Sequence, residues 1–425
     1  MFRGEKMTIY CEKLDTECGM FSEMPPVQGE FYLGEVTRLL PELVRRHAGS
    51  VQLIYLDPPF MTGRDFEAVM PVGESGYRGK REAFARIPLY SDKWESKPEY
   101  LGFLKQILQG AKQLLREKGV LCLHVDRHIS AYAKILLDEV FGEACFINEI
   151  IWHYRSGGSN KHAFPAKHDT LFLYGNAPGV KINPAAVGYR RSTVSQNHLK
   201  KQIDETGRVF FSIKSNGKEY RYYEDDIILY DDVWDIPHLQ QKHPERTGYG
   251  TQKPLELLDR IICSCSAQGD TVCDLFAGSG TALVSAHNHG RCYVGVDQSP
   301  LSLLTLRRRL AEKENVHLSI YHTEASDDRA SISIHRQELS GQLKITIDGY
   351  RILNLHAVVP KCGDGLQYIT YWSAGRIEED TFITEDYTMR TPQIPKLRNS
   401  LVIPEGDDKA IYFCDCIGNQ RFIKI

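Results

Sequence analysis

Two short stretches of this chain hold residue types that can do chemistry together. Leu56-Asp57-Pro58-Pro59-Phe60 lies near the start, and Asp274-Leu275-Phe276-Ala277-Gly278-Ser279-Gly280-Thr281 follows more than two hundred residues later. In the first, successive prolines restrict the backbone and remove two N–H groups, so the Pro58 carbonyl and the Asp57 carboxylate stand as two acceptors in a fixed loop. An amino group conjugated to a ring would donate both its hydrogens to them. Its nitrogen lone pair is then more localised and better able to attack an electrophilic methyl. Phe60 is placed to stack on the ring that carries the amine.

In the second stretch, a strand ending in Asp274 opens into Gly278-Ser279-Gly280 and then a helix. That order gives a tight turn over which a nucleoside lies close to the backbone at the carboxyl edge of a parallel sheet. The stretch lacks the full G-x-G-x-x-G pattern, and it lacks the Lys and the length of a phosphate-binding loop. A nucleoside cofactor without phosphates is therefore favoured. The following strand ends at Asp297, where an acidic side chain accepts hydrogen bonds from both hydroxyls of a ribose. Just before the helix that precedes this stretch, Lys253 and Pro254 predict a loop-helix junction with Pro254 as the first helical residue.

The elements that must position these residues show in the apolar pattern. Val51–Leu56, Val120–His124 and Phe146–His153 read as strands, with helices around Tyr100–Glu117 and Ser130–Val140 between them. A second block offers a helix through Ser264, a strand Thr271–Leu275, a helix Thr281–His289, a strand Cys292–Val296 and a helix Pro300–Glu312. This rhythm predicts βαβ units and a parallel sheet, hence an α/β fold. Between the blocks, turn sequences such as Gly157-Gly158-Ser159-Asn160 and Ser215-Asn216-Gly217 break the regularity. The last hundred residues alternate polar and apolar positions and predict a small β-rich appendage.

Composition narrows the class. A chain of 425 residues with 42% hydrophobic and 25% charged residues is an ordinary globular protein, neither disordered nor membrane-spanning. The N-terminus, with Arg3, Glu5, Lys6 and Glu12, has no signal-peptide apolar region, so cytosolic residence is the expectation. The eleven cysteines form no Cys-x-x-Cys pair, which predicts reduced, mostly buried thiols and no metal site. Charge is uneven. Ile151 to Tyr222 holds 12 basic and 4 acidic residues in a chain whose net charge is -3, whereas 325–425 holds 12 basic and 14 acidic.

On these residues the chain resembles the permuted, or β-group, amino-DNA-methyltransferases. In that family an [Asp/Asn/Ser]-Pro-Pro-aromatic motif precedes the target-recognition region, which precedes a Phe-x-Gly-x-Gly motif. Here Asp57 to Phe60, the basic segment and Phe276 to Gly280 follow that order. Thr251-Gln252-Lys253-Pro254 matches the family's Thr-Gln-Lys-Pro element, and Val140-Phe141-Gly142, Glu149-Ile150-Ile151-Trp152 and Lys167-His168-Asp169 agree as well. Gly34-Glu35 departs from it, since the family often has Asn after an acidic residue there.

The resemblance implies a Rossmann-like methyltransferase sheet built from two chain segments. Its parts would be a catalytic half over 1–154, a target-recognition insertion over 155–249, a cofactor half over 250–324 and the β-rich domain over 325–425. It implies transfer of a methyl from S-adenosylmethionine to adenine N6 in double-stranded DNA, with the base flipped from the helix. The catalytic residues would be Asp57, Pro58, Pro59 and Phe60. The cofactor residues would be Thr251, Lys253, Asp274, Phe276, Ala277, Gly278, Gly280, Thr281 and Asp297. Arg155, Lys161, Lys167, Arg190, Arg191, Lys200 and Lys201 are the DNA contacts expected from the basic segment. A cognate restriction endonuclease and a second copy of the chain are further expected partners. N4 methylation of cytosine is the alternative, with RNA or protein methylation behind it; Asp at the first motif position leans to adenine.

Overall fold

The computed structural model describes residues 10–15, 27–154, 158–159, 161–191, 200–311, 313–322, 329–355, 357–379 and 381–425. The first half runs β1 (Tyr10–Asp15), β2 (Val27–Leu33), α1 (Val36–His47), β3 (Val51–Leu56), β4 (Asp65–Pro71), α2 (Gly73–Tyr77), β5 (Phe84–Ser91), α3 (Lys97–Leu114), β6 (Leu115–Val125), α4 (Ser130–Phe141), β7 (Phe146–His153) and β8 (His168–Gly175). Short strands follow: β9 (Tyr189–Arg190), β10 (Gln202–Ile203), β11 (Val209–Ser215), β12 (Lys218–Tyr223), β13 (Ile227–Ile228) and β14 (Val233–Asp235). The second βα block is α5 (Leu255–Cys265), β15 (Thr271–Asp274), α6 (Thr281–Asn288), β16 (Cys292–Asp297), α7 (Pro300–Leu310) and β17 (Val316–His322). The chain ends in β18 (Ala330–Leu339), β19 (Gln342–Ile352), β20 (Ile369–Glu378), β21 (Thr381–Met389), β22 (Ser400–Pro404), β23 (Lys409–Asp415) and β24 (Gln420–Lys424).

One sheet organises the chain, in the order β14-β7-β8-β6-β3-β15-β16-β2-β17-β1-β21-β20-β23-β24. Its centre is parallel: β6, β3, β15, β16, β2 and β17 run the same way, so their carboxyl ends share one edge. Every residue of β3 is buried, as a strand covered on both faces requires. Leu53 and Tyr55 pack with α5 and α6 on one face, while Ile54 and Leu56 pack with α1, α3 and α4 on the other. Helix starts follow local chemistry. The Ser96 hydroxyl accepts from Glu99 N at 3.3 Å to open α3, and the Ser299 hydroxyl accepts from Leu301 N at 3.3 Å to open α7.

Three details differ from the sequence reading. β8 is antiparallel to both β6 and β7, with no crossover helix among the described residues between Tyr154 and Lys167. Pro254 caps α5 with ψ 142° and is not its first helical residue, so the helix opens at Leu255. The β-rich C-terminal segment is not set apart as a whole. β21, β20, β23 and β24 continue the central sheet through β1, while β18, β19 and β22 form a separate three-stranded sheet. Within the insertion, Asn216 and Gly217 take φ of 51° and 76° and close the β11–β12 hairpin at the expected turn.

Candidate active site

The two chemical stretches meet because β15 lies directly beside β3. Asp274 pairs in register with Tyr55, two residues before Asp57. β16 lies on the far side of β15, with Asp274 opposite Gly295, and ends at Asp297. All three acidic side chains therefore emerge at one sheet edge, where they line a cavity of about 470 Å³. That volume suits a nucleoside-sized ligand, since ligand pockets typically span about 300–1,000 Å³.

The target loop is held from below by a residue the sequence reading missed. Asp92 is only 1% exposed, and its carboxylate accepts from Phe60 N at 3.2 Å, Met61 N at 2.9 Å, Thr62 N at 2.8 Å, the Thr62 hydroxyl at 2.7 Å and the Trp94 indole at 3.1 Å. These bonds hold Met61 in the left-handed region at φ 59°, a conformation costly for a side chain with a Cβ. Nothing local announces the role. Asp92 follows β5, whose hairpin with β4 leaves the central sheet.

The Asp57 carboxylate is used on one side only. Its Oδ2 accepts from the Lys253 ammonium, which also lies 5.4 Å from the Phe60 ring centroid. Its Oδ1 is buried with no hydrogen-bond partner among the described residues. His124 Nδ1 stands 3.9 Å from that oxygen. The imidazole is fully buried and fixed at both nitrogens, by the Tyr55 hydroxyl at 2.8 Å and Asp169 Oδ2 at 3.1 Å. Burial pushes the Asp169 carboxyl up, but its hydrogen bond to His124 and the charges nearby bring it below the usual value. His238, a cavity residue packed 4.0 Å from Tyr154, is driven down to about 4 by burial, so it is neutral at pH 7. His124 closes a strand expected from the sequence. Tyr55 and His238 gave no sequence signal, and Asp169 entered only through its motif.

The cofactor side shows the same economy. Asp274 Oδ1 accepts from Phe276 N at 2.9 Å; Asp297 accepts from Gly278 N at 2.8 Å and from Ser299 N at 2.8 Å. Burial raises Asp274 to about 8 and Asp297 to about 6. Gly278 has φ 52°, and a Cβ there would enter the gap facing the Tyr249 ring, 3.5 Å away. Thr251 and Lys253 line the same cavity, as do Phe276, Ala277 and Thr281. Thr281 also ties the Lys253 loop, donating from its hydroxyl to the Lys253 carbonyl at 3.3 Å.

Gly280 is the exception among the expected cofactor residues. It does not line the cavity, and at φ 75° its missing side chain makes room for Leu306, whose Cδ1 would stand 2.8 Å from a Cβ. Its part is to cap α6 in a left-handed turn that other residues avoid.

None of the expected DNA-contacting side chains among the described residues lines the cavity. Arg155 lies outside the described residues. Lys161 and Lys200 are exposed and Lys167 is half-buried; Lys201 pairs with Glu224, and Arg191 lies 4.9 Å over the Tyr222 ring. Arg190 sits on β9 paired with β13. Among the described residues no cluster of His, Cys, Asp and Glu suits a metal ion, and no helix is long and apolar enough to cross a membrane.

Comparison with known proteins places the chain in a family. A DNA methylase family model matches residues 51–303. The type II methyltransferase M.EcaI of Enterobacter cloacae is 26% identical over 314 residues, covering 62% of this chain and 65% of that protein. The chain thus spans slightly under two thirds of that relative's length. The DNA adenine methyltransferase YhdJ of Escherichia coli strain K12 is 25% identical over 260 residues, covering 61% and 75%. Among solved structures, the cytosine-N4-specific PvuII DNA methyltransferase aligns with a TM-score of 0.45 at 14% identity, over 69% of this chain and 91% of that one. The family match begins at β3, just ahead of the target loop, and runs past the glycine turn into α7, so it takes in both sides of the cavity: the chain belongs to the DNA methylase family.

Proposed function

We propose that the protein transfers a methyl group from S-adenosylmethionine to the N6 amino group of adenine in double-stranded DNA, with the target base flipped into the cavity. The observation that carries this reading is the half-used carboxylate of Asp57, whose buried Oδ1 has no hydrogen-bond partner among the described residues and lies beside a cofactor-sized space. A buried acceptor without a donor is costly, and an incoming amine relieves that cost. Its second hydrogen goes to the Pro58 carbonyl, and Phe60 receives the face of the base. Lys253 holds Oδ2 and so keeps Oδ1 aimed.

The glycine turn, the open space at Gly278 and the acceptors Asp274 and Asp297 fit S-adenosylmethionine. When bound, that cofactor supplies an electrophilic methyl on a sulfonium. The chain's own residues orient the amine and shield it from water. The methylated amine would shed one proton, and Asp57 Oδ1 is the acceptor placed to take it. Asp at the head of the target loop and the adenine specificity named for YhdJ support N6 over N4 of cytosine. In this reading the enzyme works in the cytoplasm, beside a cognate restriction endonuclease and as a homodimer. The test is to incubate the protein and S-adenosylmethionine with plasmid DNA from a host lacking methylation and analyse the nucleosides. N6-methyladenine is expected; N4-methylcytosine or no methylated nucleoside would overturn the assignment.

The raised carboxyls give a pH signature. Asp274 at about 8 is largely protonated at neutral pH in the free protein, whereas the unfolded chain is already ionised above its ordinary value of 3.8. This group therefore favours the folded state below pH 3.8, and its contribution is lost as pH rises through 8. A cationic ligand beside Asp274 favours the carboxylate. Binding then releases protons, and affinity rises with pH between 6 and 8 by up to about tenfold per unit for each proton released. Calorimetry in buffers of different ionisation enthalpy measures that release, and a pH-independent affinity with no proton released would refute the coupling.

A further inference from the structure

We propose that Phe164 is a wedge that enters the base stack of duplex DNA and holds the gap left by the flipped base; this rests on the duplex-DNA reading above. Phe164 is 101% exposed, more than any other large apolar side chain described. A ring with that exposure packs against none of the described residues. It stands in the connection between β7 and β8, and the root of that connection is pinned beside the cavity-lining Asp169. There Tyr154 N donates to the Lys167 carbonyl at 2.9 Å, and His153 pairs with His168. The Tyr154 hydroxyl donates to Asp169 Oδ1 at 3.2 Å, and Asp169 lines the cavity.

Chain geometry then limits where the ring can be. Phe164 is three residues from Lys167, so its Cα stays within about 11 Å of that residue, which lies two positions before the cavity-lining Asp169. Pro165 biases the backbone of Phe164 to extended conformations. Lys161 and Lys167 flank it with positive charge suited to the phosphates on either side of a target base. An apolar side chain inserted between base steps unstacks them, and a flipped base leaves such a gap to fill.

The test uses the full-length enzyme and duplexes carrying its own site, mapped first by locating methylated bases on plasmid DNA. One duplex is fully paired, one has a mismatched partner opposite the target adenine, and one carries 2-aminopurine at the target. Phe164→Ala is expected to methylate the paired duplex about ten- to a hundredfold more slowly than wild type, the scale of a lost aromatic stacking contact. It is expected to recover most of that loss on the mismatched duplex, where the target is already unpaired, and to give a smaller fluorescence rise with 2-aminopurine. Phe164→Leu, which keeps an apolar wedge, should lie between the two, and S-adenosylmethionine binding should be unchanged in both variants. Undiminished methylation of the paired duplex by Phe164→Ala, or an equal loss on paired and mismatched duplexes, overturns the wedge. A wild-type enzyme that methylates no duplex overturns the duplex-DNA reading itself, and the wedge with it.

Discussion

Replacing Asp57 with Ala is expected to lower turnover about 10²–10³-fold, the scale on which one preorganised hydrogen-bonding group contributes to a transition state. The amine would lose the acceptor that Oδ1 now holds ready, while the glycine turn and Asp297 stay in place. S-adenosylmethionine affinity, read by calorimetry, should therefore change far less than the methylation rate. The same substitution strands the Lys253 ammonium, whose side chain is only 11% exposed, so part of any loss could come from that unpaired charge. Asp57→Asn separates the two effects, because the amide oxygen still accepts while the ion pair is gone. The expected order of rates is wild type, then Asn, then Ala. An Ala variant that methylates at near the wild-type rate would show that the Pro-Pro loop is a structural turn.

Asp92→Ala should cost about 3 kcal/mol or more of stability, because it orphans several buried donors at once and each such group costs about 1–3 kcal/mol. Three of them are the consecutive backbone N–H groups of Phe60, Met61 and Thr62, and without the carboxylate nothing offsets the positive φ of Met61. Thermal unfolding measures the first effect. The second is read at a temperature where the variant is still folded by circular dichroism: methylation should fall there as well, because Phe60 and the Pro58 carbonyl lose their fixed aim. Asp92→Asn is a poor substitute, since its amide group turns a donor toward donors. A folded Asp92→Ala enzyme with full turnover would mean that the two prolines alone hold the loop.

The local form of each motif was legible in the sequence because it is written in local backbone physics. Pro58 and Pro59 restrict their own loop, Gly278 takes a left-handed turn wherever the strand-helix junction falls, and the buried strands announce themselves as apolar runs such as Val51–Leu56. The order of the motifs identified the family for the same reason, since it needs only residue types and their sequence. Tertiary structure decided what those motifs touch. The register that sets Asp274 beside Tyr55 joins surfaces more than two hundred residues apart, and strand pairing at that distance depends on the packing of both faces. Asp92 reaches the target loop only because the β4–β5 hairpin folds back from the sheet, and Gly280 proved to serve Leu306 where the pattern pointed to the cofactor. The antiparallel β8 and the C-terminal strands added through β1 are of the same kind. An apolar, alternating strand carries the same pattern whichever way it runs and whichever neighbour it joins, so those choices were made by the assembled sheet.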